Sequence, residues 1–129
     1  AAVLAYVATA SFGAGGTTPA GLSPSGFAAA FDGLEVAPLA IGANCCEGPD
    51  TALAGAAAMQ RMPGVGLAVK PNCGLPQLVC GRAVHPEGPA SMARFAKAAI
   101  DRGATILGGC CGAEPAHVAA IRQVIDAHC

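Results

Sequence analysis

Four short runs along the chain are almost wholly apolar and rich in β-branched residues, without the strict alternation of a strand that keeps one wet face: Val3 to Ala10, Leu39 to Asn44, Gly66 to Lys70 and Ala104 to Gly108. Each leads through a turn rich in Gly or Pro into a stretch with helical character. After the first run, the long loop GAGGTTPAGL precedes SPSGFAAAFDGL, where Ser23 is placed to cap and Pro24 to fill the first helical position, at which a missing N–H breaks no bond. After the second, Gly48-Pro49-Asp50 opens TALAGAAAMQRM, and Pro63-Gly64 closes it. The third passes through PNCGLP and an irregular stretch to Pro89, after which ASMARFAKAAIDRG puts Met92, Phe95, Ala96 and Ala99 on one face and stops at Gly103. Behind the fourth, Glu114-Pro115 starts a helix in which Val118, Ile121, Val124 and Ile125 recur at helical spacing.

The pattern is four successive strand-to-helix units. Strands apolar on both faces belong in a parallel sheet covered by helices, so the class is α/β with parallel (β/α) units. The residues with chemistry lie in the loops that follow the strands, where a TIM (β/α)8 barrel carries its active site. A complete barrel of that kind needs about 250 residues, roughly twice this chain, so residues 1–129 are expected to form half of one, with no internal linker.

Composition narrows the partners. With 7 basic and 8 acidic side chains and a net charge of -1, there is no electrostatic footprint for nucleic acid and no basic amphipathic face for a lipid surface. Although 18 Gly and 10 Pro could suggest low complexity, 53% hydrophobic residues and a positive mean hydropathy are the opposite of the disordered signature. The longest uninterrupted apolar stretch, Ala1 to Ala8, is far short of the roughly 18–20 residues that span a bilayer, so no membrane span is expected. The opening AAVLAYVATA resembles the apolar core of a secretion signal but lacks the basic leader. A start at Ala1 rather than Met points to a processed product or a piece of a longer chain.

Seven Cys is an odd number, and four of them form the adjacent pairs Cys45-Cys46 and Cys110-Cys111, which suits a disulfide framework poorly. Thiols kept for metal or chemistry in a reducing, cytoplasmic compartment fit better. Cys45 follows the second strand in GANCC, and Cys110 and Cys111 follow the fourth in GGCCG. Neighbouring side chains of an extended strand point to opposite faces, so an adjacent pair converges on one ion only where the backbone turns, a freedom that Gly108, Gly109 and Gly112 supply. Three thiolates without an obvious fourth ligand describe a zinc centre with one open position. Buried small hydrophobes, or a fortuitous pair, are the equal alternative on spacing alone.

GANC after one strand, KPNCGLP after the next and GGCCGAEPAHVAAI after the last together resemble the homocysteine-binding domain of zinc-dependent homocysteine S-methyltransferases, in order and over nearly all of the chain. The resemblance implies a TIM (β/α)8 barrel, of which residues 1–129 would be the C-terminal half, the last four strand-helix units. It implies Zn2+ held by Cys45, Cys110 and Cys111, homocysteine as substrate, and methyl transfer to its thiolate to give methionine. Gly-Leu-Pro after Pro71-Asn72 is closer to the methionine synthase type, with a methyl-folate or methylcobalamin donor, than to the branch with sulfonium donors. Two positions depart from the family pattern, Cys73 for a small residue and Ala43 for a larger aliphatic one. The first half of the barrel, with the groups that hold the amino-acid end of homocysteine, is not in this sequence. A complementary half-barrel or a second copy is therefore a possible partner, and a non-catalytic zinc or thiol-binding module or inactive barrel fragment is the alternative reading. Asn44 and Asn72 are candidates to bind substrate or orient the ligands, with plain turn chemistry as the other account. Cys46, Cys73 and Cys80 are expected near the same rim, as packing residues or free thiols rather than as contacts to the metal, and Cys129 at a frayed end. His117, in the first turn of the last helix, is expected to be solvated or capping rather than a ligand; His85 and His128 show no partner pattern. Lys70 suits a pocket or a snorkelling rim equally.

Overall fold

The computed structural model describes residues 3–129. Ala1 and Ala2, which open the apolar stretch running to Ala8 and the signal-like segment, lie outside the described residues. The elements, in chain order, are β1 (Val7–Ala10), α1 (Pro24–Ala29), β2 (Ala40–Cys45), α2 (Pro49–Ala57), β3 (Gly66–Pro71), β4 (Gln77–Val79), β5 (Arg82–Val84), α3 (Pro89–Asp101), β6 (Ile106–Leu107) and α4 (Pro115–His128). β1, β2, β3 and β6 form one parallel sheet in that order, as four strand-helix units require. β4 and β5 form a separate antiparallel hairpin inside the stretch expected to be irregular.

All four helices begin with Pro, where the ring presets φ and a free N–H would have had no helical partner. Ser23 caps α1 as expected, its Oγ accepting the Gly26 N–H at 3.1 Å. α2 ends at Ala57, before the expected stop at Pro63-Gly64; the Met59 N–H bonds Ala56 O in a tightened last turn, and Met59 is buried. β1 is shorter than its apolar run because its partner strand begins opposite Val7, the last bond before it being the Leu39 N–H on Tyr6 O. Val3 and Leu4 are consequently exposed. β6 is also shorter than its run, although its bonding to β3 extends from the Thr105 N–H on Leu67 O to the Gly108 N–H on Val69 O.

One face of the sheet is built for helices. Ile41, Ala43, Leu67 and Val69 point into a cluster with Leu53 and Ala56 of α2, Met92, Phe95 and Ala96 of α3 and Ile121 of α4. Phe12 closes that layer, its ring packed on Gly55 where any Cβ would lie 2.8 Å from it, and meets Phe27 of α1 edge to face at 6.3 Å. The expected inward face of α3 is confirmed at all four positions. On α4 the expectation holds for Ile121, which is buried, and for Val124 and Ile125, which pack partly against the core, but Val118 is half exposed; the inward position one turn before Ile121 belongs to His117 instead.

The alternate residues face the other side of the sheet and are small: Ala40, Gly42 and Ala68. Gly42 has no room for a Cβ, which would fall 1.6 Å from the Ala68 carbonyl oxygen. Lys70 lies on this second face, half-buried, with its stem close to Gly108. At the carboxyl ends of the strands, the loops after β2, β3 and β6 gather on one rim.

Candidate metal centre

β2 and β6 deliver three thiols to one point. In the parallel register Cys45 stands beside Pro71, the Asn72 N–H donates to Cys45 O at 3.0 Å, and the Cys110 N–H donates to Pro71 O at 2.8 Å, so the end of β3 ties both Cys-bearing loops to the same level. The Cys45 Sγ lies 3.2 Å from the Cys110 Sγ and 3.5 Å from the Cys111 Sγ, and those two lie 4.0 Å apart. A tetrahedral ion with zinc–sulfur bonds of about 2.3 Å holds its sulfurs about 3.8 Å apart. Three sulfurs within 4.8 Å of one another, from residues half-buried or exposed, thus fit the donor set and spacing of a thiolate metal centre reachable from solvent.

The local backbone is bent to achieve this. Cys45 and Cys46 both have left-handed φ, 58° and 60°, a conformation that costs a non-Gly residue roughly 1–2 kcal/mol. The turn is held on both sides. Cys46 turns its thiol away from the cluster, accepting the Phe12 N–H at 3.3 Å and donating to Asn44 O, while its own N–H donates to Ser11 Oγ. Asn72, buried, donates from Nδ2 to Cys46 O at 2.9 Å and accepts the Gly74 N–H on Oδ1. Asn72 is therefore a clamp on the Cys45-Cys46 turn.

The thiols do not share protons equally. Burial, then hydrogen bonds to Cys110 and Cys111, push Cys45 up to about 12. Burial also pushes the Cys110 thiol up, but hydrogen bonds from Cys45, Cys111 and the Asn44 side chain outweigh it, and the net direction is down. Of these two, Cys110 gives up its proton the more readily and Cys45 holds its own the harder. A cation entering the cluster must displace that proton.

The remaining sulfurs are elsewhere. Cys46 and Cys73 are buried in the core, and burial raises both thiols. Cys80 is exposed at the tip of the β4–β5 hairpin and Cys129 at the end of α4. None of these four joins the metal-competent group found among the described residues. Asn44 and Asn72 do reach the cluster's surroundings, one beside Cys110 and the other under the Cys45-Cys46 turn. His117 is buried and caps α4, its Nδ1 accepting the Glu114 N–H at 3.0 Å; of the two states expected for it, solvated and capping, the second is found. His85, which shows no pattern along the chain, donates from Nδ1 to Gly74 O at 2.8 Å and lies against Gly112. Sequence spacing misses the His85 contacts because their partners are backbone atoms brought in from other loops. Among the described residues, no helix is long and apolar enough to cross a membrane.

The model of the family Homocysteine S-methyltransferase matches residues 2–125. A methionine synthase from Mycobacterium tuberculosis is 33% identical over 86 residues, which make up 66% of this chain and 7% of that protein. The matched segment thus spans less than a tenth of that relative's length. With the family match covering nearly the whole sequence, the chain belongs to the homocysteine S-methyltransferase family.

Proposed function

We propose that this chain is the metal-carrying, C-terminal half of a homocysteine S-methyltransferase barrel of the methionine synthase type, residues 1–129 being its last four strand-helix units, in which Cys45, Cys110 and Cys111 hold Zn2+. The observation that carries the reading is the convergence of three sulfurs from two loops more than sixty residues apart in sequence. Zn2+ bound there would supply a Lewis acid that keeps a substrate thiol ionised at neutral pH, the form in which sulfur is a nucleophile. The chain's own part is positional. Cys110 and Cys111 approach from β6, Cys45 from β2, Asn72 pins the turn between Cys45 and the core, and Asn44 supports Cys110. In the overall reaction, homocysteine loses its thiol proton, its sulfur forms a bond to a methyl group, and the donor–methyl bond breaks to leave methionine. A donor of the methyl-folate or methylcobalamin kind is supported by the methionine synthase relative and by the Gly-Leu-Pro run at 74–76. Free thiols at all seven Cys suit a reducing, cytoplasmic setting.

The architecture also supports a shared site. β1 and β6 are the two edges of the parallel sheet, each pairing on one side only among the described residues, and Val7 and Ile106 on them are exposed. Such edges invite a further strand. A complementary half-barrel, or a second copy, set against them would complete the pocket for the amino-acid end of homocysteine.

The deciding experiment is zinc content per chain under reducing conditions, with zinc–sulfur coordination read from X-ray absorption before and after homocysteine. One zinc with three sulfurs that becomes four on adding homocysteine is the expected result. A site already closed by four protein ligands and indifferent to homocysteine would favour the non-catalytic thiol module, and no zinc would sink the reading.

A further inference from the structure

Two of the three clustered thiols are fastened to the sheet, and the third is not. Cys45 ends a strand, and Cys110 donates its N–H to Pro71 at the end of β3. Cys111 lies one residue beyond, exposed, where the chain has left the sheet and turns through Gly112. Its carbonyl is instead the start of a relay of hydrogen bonds. Cys111 O accepts the Cys73 N–H at 2.9 Å, Cys73 O accepts the Glu87 N–H at 2.9 Å, and Glu87 O lies 3.0 Å from the His117 Nε2. The His117 Nδ1 accepts the N–H of Glu114, three residues past Cys111. The relay therefore returns to the loop from which it began.

Each partner dictates the state of the ring. A carbonyl can only accept, so Nε2 carries the hydrogen; an amide N–H can only donate, so Nδ1 is bare. Both nitrogens of this neutral imidazole are used, and neither is free to ligate a metal. A buried residue on a helix that contributes no thiol to the cluster thus ties the segment Cys111–Glu114 to the loop before α3. Gly112, within that segment, is held from the other side, since its φ of 78° and the His85 ring against it leave no space for a side chain.

We infer that His117 is a positioning residue for the metal centre: by closing the circuit through Glu87 and Cys73, it fixes where Cys111 presents its sulfur. The inference rests on the metal reading above for its effect on ion binding, but the geometry it asserts exists in the metal-free chain as well. Its two hydrogen bonds are separable by substitution. Asn places an acceptor near the position of Nδ1 and is too short to reach Glu87, whereas Gln can place a donor near the position of Nε2 and gives up the acceptor.

The test uses the whole chain, with Co2+ as a spectroscopic probe of thiolate coordination, and amide hydrogen exchange of residues 108–113 in the metal-free protein. If His117 acts through Glu87, His117→Gln binds Co2+ within about threefold of the unaltered chain with the same sulfur-to-cobalt absorption, while His117→Asn binds about 10-fold to 100-fold more weakly, the range typical for groups that orient ligands. In the metal-free state the 108–113 amides exchange faster in His117→Asn than in His117→Gln. Equal Co2+ affinity and equal exchange in the two variants would overturn the inference, leaving His117 a helix cap only. Failure of the unaltered chain to bind Co2+ would sink the metal reading instead, and the exchange comparison would still decide whether His117 holds the loop.

Discussion

Three residues other than glycine adopt left-handed φ among the described residues, Cys45, Cys46 and Cys80, and the two places where they occur work in opposite ways. Cys80 and Gly81, with φ of 48° and 75°, form the two-residue connection of the β4–β5 hairpin, and positive φ at both is what the right-handed twist of paired strands demands there. Among the described residues no side-chain hydrogen bond holds that turn, and all six strand residues of the hairpin are exposed. Cys45 and Cys46 join no hairpin. Their turn is gripped by Phe12, Ser11 and Asn72 and is immobilised to bring one thiol to the cluster while sending the next into the core. Equal backbone strain is thus the by-product of a tight turn in one place and part of a built site in the other, and the surrounding hydrogen bonds tell the two apart.

The largest expected contrast between them is in metal content. Cys110→Ser removes the sulfur that sits between the two loops and lies 3.2 Å from Cys45, and the variant should lose stoichiometric zinc under reducing conditions. Cys80→Ser, in the hairpin, should retain it in full. Elemental analysis of both proteins after dialysis makes the comparison; undiminished zinc in the Cys110 variant would show that the cluster is not the site.

Glycines sharpen the same difference at the level of stability. Gly81 and Gly112 have nearly the same φ, 75° and 78°, but nothing lies within 4 Å of a Cβ on Gly81, whereas one on Gly112 would lie 2.2 Å from the His85 ring. Gly81→Ala is expected to cost about 1–2 kcal/mol, the conformational part alone. Gly112→Ala adds overpacking and should cost about 2–4 kcal/mol. Urea unfolding of the two variants measures both, and equal costs would mean that the His85 contact gives way freely.

Proton linkage gives a smaller effect with a definite sign. Cys45 is raised from its ordinary value of 9.0 to about 12, chiefly by burial, and burial also raises Cys46 and Cys73. A thiol whose folded pKa is raised stabilises the fold below its unfolded pKa, and that contribution is lost as pH climbs through the window between the two values. Cys110, lowered, contributes in the opposite direction, its share being present at high pH and lost as pH falls through its folded value. With three groups against one, the metal-free chain should lose stability as pH rises from 9.0 toward 12, the window set by Cys45. The metal-loaded chain, its cluster already deprotonated, should lose less. Urea midpoints along that pH range, with and without zinc, check the sign, and a rising midpoint in the metal-free protein would contradict it.

How much of this was visible in the residue order depends on the range over which the partners act. The four strand-helix units were legible because apolar runs and Pro-opened helices are local signals, and the Cys positions at strand ends followed from them. The hairpin was not, since Cys80-Gly81 lacks the Asn-Gly or Asp-Gly signature of its turn and Arg82 and Gln77 carry no alternating pattern. Apolar periodicity groups Val118 with Ile121, Val124 and Ile125 on α4, yet His117 takes the inward place by satisfying two backbone groups from separate loops. The clamp by Asn72 and the contact of His85 with Gly112 are likewise set by tertiary neighbours more than ten residues away, which spacing along one segment cannot reveal.

The smallest expected effect lies on the hairpin. Leu78 is 80% exposed on β4, so its side chain gains little from folding, and the hydrophobic term scales with the apolar area removed from water. Its cross-strand partner is Ala83, too small to make a substantial pair. Leu78→Ser should therefore change the stability of this chain by less than about 0.5 kcal/mol and leave zinc content untouched, in contrast to Met92→Ala, where a side chain with no exposed surface is removed from the core and about 2–5 kcal/mol should be lost. Urea midpoints for the pair test this directly. Should Leu78→Ser cost as much as the core substitution, the hairpin would have to be covered by further protein in solution, and the division between a fastened rim and a free hairpin would no longer hold.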